Sequence, residues 1–205
     1  MKYPHIRNAV GLYLMLVLSC GSGSKSPSID QSKFEETYRA AKTLAVLTGV
    51  GVNYQKFEEL LQDFATELSI TGDQVASEEE KALLERYFEI LSSFKDSQVL
   101  WQRKTRDASS EVVILNRDFQ VIDQYEGQII YKEDGSVTVA DPVLSEIVQK
   151  YDLETQEKEY EFGGLRWGEK RVPETWVGIP PESIQIVWGV ASQKLDEANK
   201  IYFSE

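Results

Sequence analysis

The side chains that most often perform catalysis or bind metals are nearly missing from this chain of 205 residues. It contains one histidine, His5, and one cysteine, Cys20. Serine–histidine and cysteine–histidine nucleophilic sites need an imidazole, and zinc sites are built mainly from these two residue types. Both residues lie in the first twenty positions. We therefore predict that the folded part has no site of these kinds, no disulfide, no metal and no cofactor.

Carboxylates are the one abundant group that could still do chemistry, because the chain has 34 acidic residues. Glycosidases, for example, place two carboxyl groups on either side of the bond that they cleave. However, Glu78 to Glu80 fit the first turn of a helix, where the helix dipole favours acids, and Glu35 and Glu58 fit solvated helix faces. No pair of acids stands out, and no serine and lysine share a recognisable motif. We assign no catalytic residue.

The first twenty residues have the pattern of a secretion signal. Lys2 and Arg7 form a positive start, and Ala9–Leu18 is an apolar run without charge. The run is shorter than the roughly 20 residues of a membrane span and fits the about 7 to 15 residues of a signal-peptide core. The residues that follow, Val17-Leu18-Ser19-Cys20, resemble the lipobox of bacterial lipoproteins. This resemblance implies that residues 1–19 are removed and that the cysteine receives lipid.

Lipid on Cys20 would hold the mature protein in the cell envelope. The resemblance implies more than one acyl chain, and more than one chain makes membrane attachment stable. Gly21 is not an aspartate, which resembles the outer-membrane default in cells with two membranes. Residues 20–30 are rich in glycine and serine. They should form a flexible tether with a reach of ~17 Å, so the folded part stays close to the membrane.

The charge of the chain argues against nucleic acid as a partner. The formal net charge is −12, and it becomes about −14 after loss of the signal, which holds Lys2 and Arg7 but no acid. Such a charge repels phosphate backbones. The sequence also lacks a phosphate-cradling glycine loop and a dinucleotide fingerprint, so we predict no nucleotide. The expected partners are the membrane and an envelope protein or cell-wall component.

Residues 31–205 should form one globular domain of the α+β class that is predominantly helical. Apolar residues recur at helical spacing in three segments of residues 31–106 and again over residues 181–203. Asn53 is typical of a helix N-cap, and Ser77 with Glu80 forms a capping box. The short connections favour antiparallel neighbours, so we predict a bundle of three N-terminal helices and the C-terminal helix.

The middle of the chain has a different pattern. Two hairpins are expected within residues 111–140, the first around Asn116-Arg117-Asp118 and the second around Asp134-Gly135. A helix over residues 111–124 is the alternative. Asp141 followed by a proline then predicts a short helix over residues 141–151.

Residues 152–180 lack a period and are expected to be a loop. This loop carries glycines, two tryptophans at positions 167 and 176, and the cations Arg166 and Arg171. Exposed aromatic rings stack on sugar faces, so Trp167 and Trp176 with these arginines form a candidate ligand-binding surface. The alternative is that both rings simply fix the loop to the core, which the frequent burial of large aromatic side chains favours.

Three functions are consistent with these features. The first, which we favour, is a lipid-anchored envelope protein with a non-enzymatic interaction or structural role. The second is a module that binds cell-wall sugar or peptide through Trp167 and Trp176. The third is a carboxylate-dependent hydrolase that acts on the cell wall.

Overall fold

The computed structural model describes residues 29–106, 113–119, 128–131, 137–162 and 172–203. Its five helices in this part of the chain are α1 (Glu35–Val50), α2 (Tyr54–Gly72), α3 (Glu78–Arg106), α4 (Pro142–Tyr151) and α5 (Ser183–Tyr202). The strands there are β1 (Val113–Phe119), β2 (Gln128–Tyr131), β3 (Val137–Ala140), β4 (Gln156–Phe162) and β5 (Val172–Ile179). None of the described helices is both long enough and apolar enough to cross a bilayer.

The helix ends follow the signals in the sequence. Gly51 ends α1 with a φ of 102°, a backbone conformation that a side chain would strain. The Asn53 side chain accepts a hydrogen bond from the backbone of Lys56 and caps α2. The Ser77 hydroxyl accepts from the backbone N–H of Glu80 at 3.1 Å, as expected of a capping box. Asp141 caps α4 through two backbone N–H groups.

The predicted predominantly helical fold with a four-helix bundle is confirmed. α2 packs against α1 and α3, and α5 closes the bundle against α3 and α1. The bundle core is continuous and apolar, and its fully buried aromatic side chains are Phe34, Phe57, Phe64, Tyr87 and Phe94. Since α1 and α3 each lie between α2 and α5, they occupy opposite sides of the bundle.

The five described strands form one antiparallel sheet in the order β2-β3-β1-β5-β4. β2 and β3 pair from Gln128 with Ala140 to Tyr131 with Val137, which confirms the second predicted hairpin. The first predicted hairpin is wrong, because Val113–Phe119 is a single strand that continues through Asn116-Arg117-Asp118. β1 instead pairs with β3 and β5, two segments distant in the sequence.

The prediction of a loop over residues 152–180 is also wrong in part. β4 and β5 lie in this segment and pair in register from Gln156 with Gly178 to Phe162 with Val172. Five of the seven residues of β4 are charged or amide side chains. A strand of this composition is difficult to recognise from sequence, because an edge strand can carry charged side chains and needs little apolar periodicity.

A second apolar cluster joins the sheet and α4 to the bundle. Ile179 at the end of β5 is buried against Leu100 of α3, Leu144 of α4 and Val187 of α5. The Arg103 guanidinium also lies 2.9 Å from the carboxylate of Asp141. The same helices α3 and α5 therefore contribute to both cores.

Candidate functional site

The residues predicted to carry lipid or to bind ligand fall largely outside the described part of the chain. Cys20, Arg166, Trp167 and Arg171 lie outside it. Trp176 lies within β5, where its backbone is in register with Lys158 of β4 and Arg117 of β1. It therefore belongs to a paired strand and not to a loop.

Glu80 fixes the point at which the chain enters the folded domain. Its carboxylate lies 2.8 Å from the Lys33 ammonium and accepts hydrogen bonds from the backbone N–H groups of Asp30, at 3.3 Å, and Ala76, at 2.8 Å. The Ser77 N–H donates to the same group at 3.3 Å. We call Asp30, Lys33, Ala76, Ser77 and Glu80 the entry clamp. The clamp ties the beginning of the domain to the N-terminus of α3.

The entry clamp stabilises the ionised form of its carboxyl group. The Glu80 side chain is only 4% exposed. The Lys33 ammonium, followed by the Ala76 N–H, lowers the pKa of Glu80 from 4.5 to about 2, against the opposing effect of burial. The Lys33 ammonium and three backbone N–H groups all donate to the Glu80 carboxylate, so this carboxylate holds the fold together. An acid that stays ionised in this way is unsuited to general acid catalysis near neutral pH.

A groove opens beside the entry clamp, between the outer face of α1 and the end of α5. We call it the α1–α5 groove. It has a volume of about 630 Å³, and its walls include Tyr38, Lys42, Val46 and Leu47 of α1 and Tyr202 and Phe203. The Gln31 side chain donates to the Tyr202 carbonyl at 2.9 Å. The groove thus begins within a few residues of the point where the chain enters the domain.

Aromatic rings form one end of the α1–α5 groove. Tyr38 stacks on Tyr202 with ring centroids 5.2 Å apart, and Phe203 meets the edge of Tyr38 at 5.5 Å. The Lys42 ammonium donates to the Tyr38 hydroxyl at 3.1 Å and lies 5.4 Å from the ring centroid. In the part of the chain that the structure describes, Lys42 forms no ion pair. Arg39 differs, because both Glu35 and Glu36 neutralise it at 3.0 Å.

A polar seam on α3, formed by Ser92, Ser93 and Asp96, makes two serine–lysine contacts among the described residues. The Lys150 ammonium of α4 donates to the Ser92 hydroxyl at 3.1 Å and is itself paired with Asp96. The Lys194 ammonium of α5 donates to the Ser93 hydroxyl at 3.2 Å. Ser93 is fully buried, and its own proton goes to the Glu89 carbonyl at 3.1 Å. A nucleophile must be accessible and have its proton taken by a base. Ser93 meets neither condition. Its contact with Lys194 is structural and connects α5 to α3.

The carboxylate of the polar seam, on Asp96, also makes structural contacts. Asp96 of α3 accepts from the Lys150 ammonium at 2.7 Å and from the Tyr151 hydroxyl at 2.8 Å, which ties α4 to α3. Glu58 of α2 similarly accepts from Tyr54 and Gln98. No group of three His, Cys, Asp or Glu side chains that could hold a metal occurs within the described ranges.

Comparisons with known proteins give no relative from which a role could be carried over. No protein-family model matches the chain, and no curated protein or solved structure matches it either. The assignment of function therefore depends on the residues themselves.

Both features that structure the entry side of the domain escaped the sequence reasoning. The capping box was recognised, but Lys33 lies 47 residues from Glu80, and no local pattern indicates that contact. Tyr38 and Tyr202 fit apolar helical stripes, and both pack in or against the bundle core, so the stripes alone do not indicate the groove that their rings line.

Proposed function

We propose that this chain is a lipid-anchored protein of the cell envelope that has a non-enzymatic interaction or structural role. The proposal combines the lipobox resemblance at Cys20 with the way in which the domain begins. The entry clamp starts at Asp30, about ten residues after the cysteine. A domain that is fixed from its first residue on a short tether is suited to work close to a membrane surface.

The engagement of the polar side chains supports a role without catalysis. The side chains of Glu80, Asp96, Glu58 and Ser93 each bond to a neighbouring element of the fold. Catalytic acids and nucleophiles lie in a cleft within reach of the substrate, with a pKa shifted toward the operating pH. The polar contacts of this bundle instead hold α3 to α2, α4, α5 and the entering chain.

Incubation of the purified protein with isolated cell-wall sacculi tests the proposal against its two alternatives. We expect the protein to remain in the supernatant after centrifugation and no sugar fragments to be released. Co-sedimentation without fragments would establish a cell-wall binding module and would direct attention to Trp167 and Trp176. Released fragments would establish a hydrolase and overturn the proposal. A Trp167→Ala, Trp176→Ala double variant separates specific binding from adsorption.

A further inference from the structure

The face that contains the α1–α5 groove combines exposed apolar side chains with cationic and aromatic ones. Val46 and Val50 of α1 are 55% and 77% exposed, and Phe203 at the end of α5 is 54% exposed. Tyr38 and Lys42 lie between them in the groove. We call Tyr38, Lys42, Val46, Val50 and Phe203 the interfacial strip. Along α1 the strip is about 18 Å long.

We infer that the interfacial strip docks onto the phospholipid bilayer that carries the lipid anchor, so that α1 lies along the membrane surface. This inference rests on the proposed function, because it needs the anchor at Cys20. Helices that lie in the membrane interface insert apolar and aromatic side chains about 5 to 10 Å deep and place lysines against the headgroups. Tyrosine is also among the residues that favour this zone.

The position of the tether supports the bilayer as the occupant. α1 is the first long helix after Cys20, and the entry clamp holds its beginning against α3. The sequence predicts a tether with a reach of ~17 Å, which is comparable to the length of the strip. An anchor at Cys20 would thus keep the interfacial strip close to the lipid headgroups. No free partner in solution has this advantage in effective concentration.

The local charge also suits a phosphate-bearing surface. The whole chain has a formal net charge of −12. On this face, however, Arg39 is paired with Glu35 and Glu36, and Lys42 adds a cation without a carboxylate partner in the described structure. The charges of α1 therefore balance, with two acids and two bases, so this face is repelled by lipid phosphates less than the net charge of the whole chain would suggest.

A fluorescent label at single positions tests the docking directly. Since Cys20 is the one cysteine of the chain and would be blocked by lipid, a cysteine introduced elsewhere takes the label alone. The lipidated protein is reconstituted into phosphatidylcholine vesicles that contain nitroxide-labelled phosphatidylcholine as quencher. The test position is Val46→Cys. The matched control is Phe88→Cys, which is 48% exposed on α3, on the opposite side of the bundle.

We expect the nitroxide lipid to quench the label at position 46 several-fold more strongly than the label at position 88. Val50→Asp, which places a carboxylate in the strip without removing a buried contact, should reduce quenching at position 46 to the control level. Val143→Asp on α4 should leave the quenching at position 46 unchanged. The unfolding midpoints of both variants are measured to check that each is folded. Equal quenching at positions 46 and 88 would overturn the docking and leave the groove to a protein partner.

Flotation of the same vesicles separates the two proposals. If the protein floats with the vesicles and the two positions are quenched equally, anchoring stands and only the docking fails. If the lipobox cysteine carries no lipid and the protein does not float, both proposals are overturned.

Discussion

Neutralising Glu80 measures how strongly the entry clamp holds the beginning of the domain. A lowering of the pKa from 4.5 to about 2 corresponds to about 3 kcal/mol of stabilisation when screening is ignored. Lys33 is 24% exposed, and the clamp lies just below the surface, so water screens part of this interaction. We therefore expect Glu80→Gln to lower the free energy of unfolding by about 1–2 kcal/mol near neutral pH.

The effect should depend on pH in a defined direction. The pKa of Glu80 is lower in the folded state than in the unfolded chain, so the stabilisation is complete above pH 4.5 and is lost as the pH falls toward about 2. The difference in stability between wild type and Glu80→Gln should consequently shrink over this interval.

Urea unfolding followed by circular dichroism, at about pH 7 and about pH 3, measures both quantities. Glu79→Gln is the matched control, because Glu79 lies on the exposed face of the same helical turn. It should change the stability by no more than about 0.5 kcal/mol. Equal effects of the two substitutions near neutral pH, or a Glu80→Gln effect that grows on acidification, would refute the clamp.

Four further substitutions test side-chain contacts and one backbone conformation by the same unfolding assay. Tyr87→Phe removes a fully buried hydroxyl that has no hydrogen-bond partner and should stabilise the protein by about 1 kcal/mol, whereas Tyr202→Phe, which loses a bond to the Gln31 carbonyl, should not stabilise it. Destabilisation by Tyr87→Phe would contradict the absence of a hydrogen-bond partner for this hydroxyl. Asp152→Gly should stabilise by up to about 1 kcal/mol, because Asp152 has a φ of 49° after α4; a loss of stability would mean that its side chain contributes more than its backbone costs. Trp188→Phe should destabilise by about 1–2 kcal/mol, since the indole donates to Ser97 at 2.8 Å, and an unchanged midpoint would contradict this role.

The helical part of the fold could be predicted because its signals are local. The caps at Asn53, Ser77 and Asp141 each act within one helical turn, and all three mark a helix start in the structure. The apolar stripes likewise identify Trp101 and Trp188 as residues that pack on the core, where their rings meet at 5.4 Å. Local chemistry of this kind is independent of the rest of the chain.

The sheet could be predicted only in part, because most of its pairings are distant in sequence. Asp134-Gly135 indicated the pairing of β2 with β3, which needs only a turn. The strand over residues 113–119 was divided in two, because Asn116-Arg117-Asp118 is typical of a turn. Its pairing with β5, about 60 residues away, overrides that local preference. The entry clamp and the α1–α5 groove escaped prediction for the same reason, since Lys33 and Tyr202 meet partners in other helices.

The proposed function depends on the attachment of lipid to Cys20. The most direct measurement is metabolic labelling with an alkyne-bearing fatty acid in a bacterial host, followed by membrane fractionation. We expect the wild-type chain and a Ser19→Ala control to take up the label and to sediment with the membranes. Cys20→Ala should lose the label and leave the membrane fraction after a wash with high salt. A label that persists in Cys20→Ala, or an unlabelled wild-type protein, would contradict anchoring at this residue.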